Sequence, residues 1–326
     1  MATIQDIANE VGISKAAVSR ILNNKGSFSQ ETIRNVQAVA RKLNYSSLST
    51  FRQEEESMMK LIAAIFPTYE LPGFGYFVSM LERAAYDYGY NLLLCSSLFD
   101  REKEGVVFDY LKKRKVSGIL LGSYTFDSEM LENVDLPIVT VGYKLSDDIH
   151  TVRSDDYSAG RLAAKHLFCK GCRKPIYISS YPGELSQDLR GKGFRDELLI
   201  HGIEPWIYHA DLDMQVSHDF TSVISMMPLE HPDADGIFAE TEVLGISCMQ
   251  IYLSLGFRIP NDIRIIGYGT PFFSQHSYPQ LTLIRENGEL IARKAISLLA
   301  KQIETDSVFP KEEILIPVSL WERKTT

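Results

Sequence analysis

Long apolar stretches are missing from this sequence of 326 residues. No run approaches the roughly 20 apolar residues that a membrane-spanning helix requires. The N-terminal segment "MATIQDIANE" also lacks the basic and apolar regions of a signal peptide. These absences predict a cytoplasmic protein that makes no membrane contact, and the length leaves room for two or three domains.

Cysteine is scarce, with only Cys95, Cys169, Cys172 and Cys248. Cys169 and Cys172 are close together in "FCKGC", but a metal site would need a second ligand pair at similar spacing. We favour ordinary cysteines at the end of a helix, and a redox dithiol is the alternative. The chain also has no G-x-S-x-G or P-loop motif, and its seven histidines are scattered. We therefore expect no metal, no cofactor, no catalytic residue and no enzymatic activity.

Negative charge is unevenly distributed along the chain. The net charge is −8, yet residues 1–50 contain six basic and three acidic residues, a net of +3 that leaves −11 for the remainder. A small basic segment attached to an acidic body suggests that the basic segment meets a polyanion.

Residues 3–45 have the pattern of three short helices. Thr3, Ser14 and Ser29 are plausible N-caps, and Gly12 separates the first two helices. A helix-turn-helix needs a small residue where the helices cross, a turn residue that tolerates positive φ and a buried aliphatic anchor. Ala8, Gly12 and Val18 supply these in order.

The outward side of the second helix is polar and narrow. It consists of Lys15, Ala16, Ser19, Arg20 and Asn23, at steps typical of one helix face. An α-helix fits the major groove of B-DNA, where arginine can pair with guanine. The small side chains of Ala16 and Ala17 allow close approach. The alternative is a solvated face on a small helical bundle, and the turn geometry favours DNA.

The segment "TIQDIANEVGISKAAVSRILNNKGSFSQETIRNVQAVARKLNY", residues 3–45, resembles the LacI/GalR family of bacterial transcriptional repressors. The frame "DIA…GIS…AVSR" and the closing "LNY" carry the resemblance. It implies that Lys15, Ala16 and Arg20 read bases. The phosphate contacts that it implies are Thr3, Ser14, Ser19, Asn23, Ser29, Thr32 and Tyr45.

From residue 60 onward, short apolar strands alternate with amphipathic helices. The predicted strands are 61–66, 91–96, 118–122, 137–142, 175–180, 236–240 and 263–269. The predicted helices are 76–89, 101–115, 156–169, 187–202, 242–256 and 287–303. This alternation predicts an α/β fold with parallel sheets covered on both faces, divided into two Rossmann-like lobes.

The family resemblance extends over this body through "GYNLLLCSS", "KVSGILLG", "RGKGF" and "LGFRIPNDIRIIGY". It implies a body like that of periplasmic sugar-binding proteins, with three crossovers near residues 160, 285 and 318 and a ligand cleft between the lobes. The expected domains are a helix-turn-helix head, a hinge or linker, and an effector-binding and dimerisation domain. These comprise residues 1–45, 46–59 and 60–326, with lobe 1 at about 60–160 and 286–318 and lobe 2 at about 161–285 and 319–326.

Some of the implied ligand-binding residues match the family and others depart from it. Arg190, in "RGKGF", stands where the family places an effector-binding arginine. Phe74 stands where the family often places an aromatic ring against the ligand, although it could equally pack in the core, and Tyr69 is a further candidate for effector binding. Gly269 replaces a usual aspartate, so that Glu242 and Glu286 could supply the missing acceptors for sugar hydroxyls.

The joint "SSLSTFRQEEES", residues 46–57, departs furthest from the family. Relatives fold this joint into a hinge helix whose leucine wedges into the minor groove. Here Glu54 stands at the wedge position, followed by Glu55 and Glu56, and carboxylates there would face DNA phosphates. A flexible, solvated tether is therefore favoured, and Leu48 or Phe51 acting as a shifted wedge is the alternative.

Taken with the resemblance, these features predict a repressor whose homodimer binds a near-palindromic, double-stranded operator DNA. The effector is expected to be a sugar or a sugar phosphate. The alternative is a regulator governed by a protein corepressor, in the manner of catabolite control proteins. The C-terminal "WERKTT" has no leucine heptads, so we expect none of the tails that make some relatives tetrameric.

Overall fold

The structure is a computed structural model whose chain divides into two compact units, Met1–Lys60 and Leu61–Thr326. It describes residues 3–22, 25–26, 28–43, 45, 60–70, 73–122, 131, 134–179, 188–209, 214, 217, 219–305 and 310–326. The predicted joint, with Glu54, Glu55, Glu56, Leu48 and Phe51, lies outside these residues, as does Asn23.

The described residues of the first unit form three helices: α1 (Ile4–Val11), α2 (Lys15–Leu22) and α3 (Gln30–Lys42). Their small core is built from side chains of all three helices: Ile7, Ala8, Val18, Ile21, Val36 and Ala40. Gly12 ends α1 with φ +75° and donates its N–H to the carbonyl of Ala8. That left-handed conformation favours glycine and confirms the predicted tight turn between α1 and α2.

Side chains cap the N-terminus of each helix in this unit. The hydroxyl of Thr3 accepts from the N–H of Asp6, whose carboxylate accepts from the N–H of Thr3 at 2.7 Å. This capping box confirms Thr3 as the predicted N-cap. Ser14 Oγ accepts from the N–H of Ala17, and Ser29 Oγ accepts from the N–H of Thr32. Each cap satisfies an N–H group that has no partner inside its helix.

Two six-stranded sheets form the second unit. The strands are β1 (Lys60–Phe66), β2 (Tyr90–Ser96), β3 (Ile119–Leu121), β4 (Ile138–Val141), β5 (His150–Ser154), β6 (Pro175–Ser179), β7 (Trp206–His209), β8 (Gly236–Ala239), β9 (Arg264–Gly269), β10 (Thr282–Arg285), β11 (Glu313–Ile316) and β12 (Ser319–Trp321). One sheet has the order β11-β5-β4-β3-β1-β2 and the other β12-β10-β9-β8-β6-β7. Strands β10 and β12 pair antiparallel, whereas β1, β3, β4, β5 and β11 pair parallel along the first sheet.

The helices of this unit are α4 (Phe74–Asp87), α5 (Arg101–Arg114), α6 (Asp156–Cys169), α7 (Leu189–Leu199), α8 (Thr221–Glu230), α9 (Glu242–Ser254) and α10 (Gly288–Glu304). Alternate residues of each central strand enter separate cores. In β1, for example, Ala64 packs with Leu81 and Ile296 on one face of the sheet, and Ile65 packs with Leu111 on the other. Burial on both faces explains the continuous apolar strands and confirms the predicted fold class.

The chain passes between the two sheets three times: at Asp155 after β5, at residues 286–287 after β10 and at residues 317–318 after β11. Lobe 1 is the part built on the first sheet and lobe 2 the part built on the second. The first passage precedes α6, whereas the sequence placed it near residue 160. Helix α6 belongs wholly to lobe 2, because it packs along α7.

Five strands and one helix were not predicted from the sequence: β5, β7, β10, β11, β12 and α8. The strands are three to five residues long, and "HTVRS" of β5 is mostly polar, so their hydrophobic pattern is weak. Among the described helices, none is long and apolar enough to cross a membrane.

Candidate functional site

The exposed face of α2 is the first candidate surface. Lys15, Ala16 and Arg20 are exposed, and Ala17 and Ser19 are half-buried. The opposite face of α2 is fixed, because Val18 and Ile21 are buried against α1 and α3. Lys15 and Arg20 form no ion pair with another described residue. The helix thus presents small side chains and two cations that have no ionic partner among the described residues, and its opposite face is held by the core.

The other polar residues expected to contact phosphate lie mostly at helix N-termini. Thr3, Ser14 and Ser29 are exposed caps of α1, α2 and α3. Thr32 is half-buried in the first turn of α3, where its hydroxyl lies 2.7 Å from Ser29 Oγ. A helix N-terminus attracts anions through its unpaired N–H groups and its dipole. Tyr45 differs from these four, since it packs against the core.

A cavity of about 170 Å³ lies between the two lobes. Its walls are formed where strands of both sheets end, at Phe66, Val141 and Ser154 of lobe 1 and Tyr268 of lobe 2. Phe77 and Ile291 add apolar surface, and Asp156, Arg190 and Glu286 add charge. This is the position at which open α/β sheets bind ligands.

Arg190 is held firmly at this cavity by three partners. Its Nε donates to Asp156 Oδ1 at 2.8 Å, and its Nη1 donates to the backbone carbonyl of Glu240 at 2.9 Å. The Glu240 carboxylate lies 3.6 Å from Nη1, and the guanidinium stacks on the Tyr268 ring at 3.8 Å from its centroid. With its side chain only 21% exposed, Arg190 is oriented before any ligand arrives.

Gly193 of the "RGKGF" motif and Gly160 lie at a close contact between α6 and α7. A Cβ on Gly193 would lie 2.1 Å from the carbonyl oxygen of Tyr157, and a Cβ on Gly160 would lie 1.9 Å from that of Arg190. Phe194 is fully buried under this contact. The glycines therefore bring the start of α7, with Arg190, against the start of α6, with Asp156.

Glu286 lies just after β10, at the second passage between the lobes. Thr270 Oγ1 donates to its Oε1 at 3.1 Å, and the hydroxyls of Tyr268 and Ser154 each lie 3.5 Å from its Oε2. Burial raises the pKa of Glu286 above its ordinary value, although Arg190 acts in the opposite direction. A carboxylate here is surrounded by hydroxyl donors and lines the cavity.

Glu242 has a different environment from the one the sequence suggested. Its two carboxylate oxygens accept from the backbone N–H groups of Phe272, Phe273 and Ser274, at 3.2, 3.1 and 2.8 Å. Glu242 and Gly269 do not line the cavity. Because its oxygens are already engaged by the loop after β9, Glu242 fixes that loop and is not placed to replace the missing aspartate of the cleft.

Comparisons with known proteins identify relatives of both units of the chain. Residues 3–47 match the family described as bacterial regulatory proteins of the lacI family, and residues 164–326 match the periplasmic binding protein-like domain. The sucrose operon repressor of Streptococcus mutans is 32% identical over 98% of both chains. This chain belongs to the lacI family of bacterial regulatory proteins. The decisive point is an identity above 30% that spans head and body together.

Two further relatives of this lacI-family chain are informative. The ribose operon repressor of Halalkalibacterium halodurans is 29% identical over 100% of this chain and 97% of its own. A crystal structure of a periplasmic binding protein/LacI transcriptional regulator from Alkaliphilus metalliredigens, complexed with D-xylulofuranose, is 31% identical. The match covers 82% of this chain and 99% of the chain in that structure, with a TM-score of 0.73.

Two aromatic residues that the family resemblance suggested, Tyr69 and Phe74, do not line the cavity. The Phe74 ring packs edge-on against Phe66 with 4.8 Å between centroids, as part of the lobe 1 core. Tyr69 stacks on Phe74 at 5.9 Å and is 41% exposed. Partial burial raises the pKa of Tyr69 to about 12, with a smaller effect from Cys95. In this lacI-family chain Phe74 thus packs against the lobe 1 core, and Tyr69 packs on Phe74.

Three polar residues of the cavity were missed in the sequence: Ser154, Asp156 and Tyr268. Ser154 ends the unpredicted strand β5, and Asp156 starts the next helix. They follow or end a strand, within "SDDYSAG" and "IIGYG". Because ligands bind at the carboxyl ends of parallel strands, this position could have indicated them in the sequence. The acids among the described residues that line the cleft are thus Asp156 and Glu286, where the sequence suggested Glu242 and Glu286.

Proposed function

We propose that this chain is a transcriptional repressor that binds operator DNA through the exposed face of α2 and is controlled by a sugar in the cleft between its lobes. The observation that carries the proposal is the rigid presentation of Lys15, Ala16 and Arg20 by α2. An exposed helix face with two cations and small side chains suits the major groove.

Within this proposal, the residues of the first unit divide into two groups. Arg20 and Lys15 donate to base edges, with Ala16 and Ala17 allowing the helix to approach. Thr3, Ser14, Ser19, Ser29, Thr32 and Tyr45 contact phosphates, together with Asn23. Phosphate contacts fix the orientation of the head, and the base contacts supply specificity.

The proposal that a sugar controls DNA binding rests on the cleft and on the relatives. The cavity combines apolar rings with charged and hydroxyl groups, a combination that suits the two faces of a sugar. Two relatives are named as sucrose and ribose operon repressors, and a third holds D-xylulofuranose. A ligand that contacts both lobes stabilises one relative arrangement of them, and linkage then changes operator affinity.

Operators with two-fold symmetry are bound by proteins with the same symmetry. The proposed active form is therefore a homodimer with two heads. A regulator of this kind acts on DNA in the cytoplasm and carries out regulation rather than catalysis. The acidic joint with Glu54, Glu55 and Glu56 is proposed to act as a tether between head and body.

The test is fluorescence anisotropy of the full chain on labelled DNA from upstream of its own coding region. We expect nanomolar to sub-micromolar binding, and we expect Arg20→Ala to lower affinity by about tenfold or more, since a base-reading arginine contributes ~1–3 kcal/mol. Arg34→Ala is the matched control. Arg34 is an exposed arginine on α3, so its substitution removes the same charge from a different helix.

The outcomes separate the parts of the proposal. Equal losses for Arg20→Ala and Arg34→Ala would mean that Arg20 contributes charge only and does not read bases. Release of DNA by one sugar from a panel would support control through the cleft. DNA binding that no sugar alters would contradict that control and leave the DNA-binding part intact.

A further inference from the structure

The inference concerns the charge of the ligand, and it rests on the proposed control by a sugar. Three carboxylates lie at or beside the cavity, those of Asp156, Glu286 and Glu240. Arg190 is the only cation among the described residues that line it. We propose that the cleft takes an uncharged sugar and rejects phosphorylated or carboxylated ones.

The positive charge of Arg190 is already balanced by neighbouring carboxylates. Asp156 Oδ1 lies 2.8 Å from its Nε, and Glu240 Oε1 lies 3.6 Å from its Nη1. A phosphate that reached Arg190 would have to displace Asp156 from it and would then lie close to the carboxylates of Asp156 and Glu286. Like charges at such short range repel, so an anion is disfavoured there.

Neighbouring cations are directed elsewhere. Arg153 donates from Nε and Nη2 to Glu313 at 2.8 and 2.6 Å, and Arg285 lies over the Trp321 ring. Arg153 and Arg285 are adjacent in sequence to the cavity residues Ser154 and Glu286. Neither arginine is among the residues that line the cavity.

The body segments that the structure does not describe also bear on the charge of the cleft. These are residues 71–72, 123–130, 132–133, 180–187, 210–213, 215–216, 218 and 306–309. They contain no lysine and no arginine, but they contain acids such as Asp127 and Glu184. These segments therefore bring neither lysine nor arginine to the cleft.

The same groups suit an uncharged sugar. The carboxylates of Asp156 and Glu286 can accept hydrogen bonds from sugar hydroxyls, which always carry a donor. Phe66, Phe77 and Tyr268 supply rings for the C–H face of a pyranose or furanose. Ser154 can both donate and accept. A sugar with free hydroxyls therefore finds partners for both of its faces.

The experiment is isothermal titration calorimetry of the full chain with matched pairs of ligands. The pairs are D-fructose and fructose 6-phosphate, D-ribose and ribose 5-phosphate, D-xylulose and xylulose 5-phosphate, and sucrose and sucrose 6-phosphate. For the sugar that binds, we expect the phosphorylated partner to bind at least about tenfold more weakly at moderate ionic strength.

The variant Glu286→Gln tests the electrostatic cause, since it removes one negative charge and keeps the shape. We expect it to narrow the ratio of the two affinities several-fold. Glu289→Gln is the matched control, because Glu289 is an exposed glutamate three residues away that does not line the cavity, and it should leave the ratio unchanged.

A phosphorylated sugar that binds as tightly as its free partner, or more tightly, would overturn this inference and leave control by a sugar intact. An unchanged ratio in Glu286→Gln would overturn the electrostatic cause. If no member of the panel binds, control by a sugar fails and this inference fails with it, while anisotropy reports separately whether DNA binding stands.

Discussion

In the helical unit Lys15 and Arg20 project from α2 without an ionic partner among the described residues, whereas in the body Arg190 is bonded to Asp156 and to Glu240 and stacks on Tyr268. The two surfaces address different ligands. Cations that can move to DNA phosphates and base edges increase the affinity for DNA. For a small ligand, affinity increases when the binding groups are oriented before the ligand binds. The two cations of α2 therefore have no ionic partner among the described residues, whereas the charged groups of the cleft hold one another in position.

The largest effect should come from breaking the helix contact that orients Arg190. In Gly193→Ala the new Cβ would meet the Tyr157 carbonyl at 2.1 Å, so α6 and α7 must separate. We expect the body to lose about 3 kcal/mol of unfolding free energy, at the upper end for overpacking. Urea unfolding followed by circular dichroism would measure it.

Gly105→Ala is the control for this variant, because Gly105 lies within α5 and an added Cβ there meets nothing within 4 Å. Alanine at that helix position should stabilise the body by about 0.5–1 kcal/mol. Equal effects of the two substitutions would show that the contact between α6 and α7 is not tight.

A smaller effect should follow when the loop after β9 loses its anchor. In Glu242→Gln an amide replaces one of the two oxygens that accept from Phe272, Phe273 and Ser274, so at least one buried N–H group is left unpaired. We expect a loss of about 1–3 kcal/mol and faster amide exchange confined to residues 272–274. Hydrogen exchange measured by mass spectrometry would localise the change.

Glu82→Gln provides the comparison, since Glu82 is exposed on α4. It should change neither the unfolding free energy nor the exchange of the loop. Protection of residues 272–274 that survives in Glu242→Gln would show that the loop is held by other contacts.

The turn of the head should be less sensitive than the contacts of the body. At Gly12 the φ of +75° is strained for alanine, although a Cβ there would meet no atom within 4 Å. Gly12→Ala should therefore cost about 1 kcal/mol from backbone strain alone. Amide exchange of α1 and α2 in the full chain should rise about fivefold.

Gly12→Asn is the matched variant, because asparagine tolerates the left-handed conformation better than alanine. Its stability and the amide exchange of its α1 and α2 should lie between those of the unmodified chain and those of Gly12→Ala. A larger loss for asparagine than for alanine would mean that space, and not backbone conformation, limits this position.

These variants also show why the head could be predicted from the sequence and the cleft only in part. Ala8, Gly12 and Val18 are neighbours along the chain, so local spacing alone predicts the turn and the face of α2. Arg190 instead obtains its partners from 34 and 50 residues away, which periodicity cannot indicate. The motif around Arg190 was recognised, but not the carboxylates that balance its charge.

Glu242 illustrates the same limit from the opposite side. In the sequence it was a free carboxylate near a missing aspartate, and it became a candidate acceptor for the ligand. The fold directs three backbone N–H groups at it from a loop 30 residues later. Backbone donors have no residue-type signature, so no sequence pattern indicates such an anchor.

The smallest effect concerns the charge of Glu286. Burial raises the pKa of this carboxyl, so the folded protein holds its proton more tightly than the unfolded chain does. The stabilising effect of protonation is fully present below the unfolded pKa and is lost as pH rises through the folded pKa. Glu286→Gln cannot ionise, so its melting temperature should exceed that of the unmodified chain at pH 8, and the difference should shrink toward pH 4.

Thermal unfolding across this pH range in one buffer system would measure the difference, with Glu289→Gln as control. Glu289 is exposed in the first turn of α10, where a negative charge is favourable, so its loss should give no gain at any pH. A gain in Glu286→Gln that stays constant from pH 4 to pH 8 would mean that packing, and not charge, is responsible. A gain that appears only at high pH would show that the cleft holds its second carboxylate at the expense of stability, as expected for a group retained to bind a ligand.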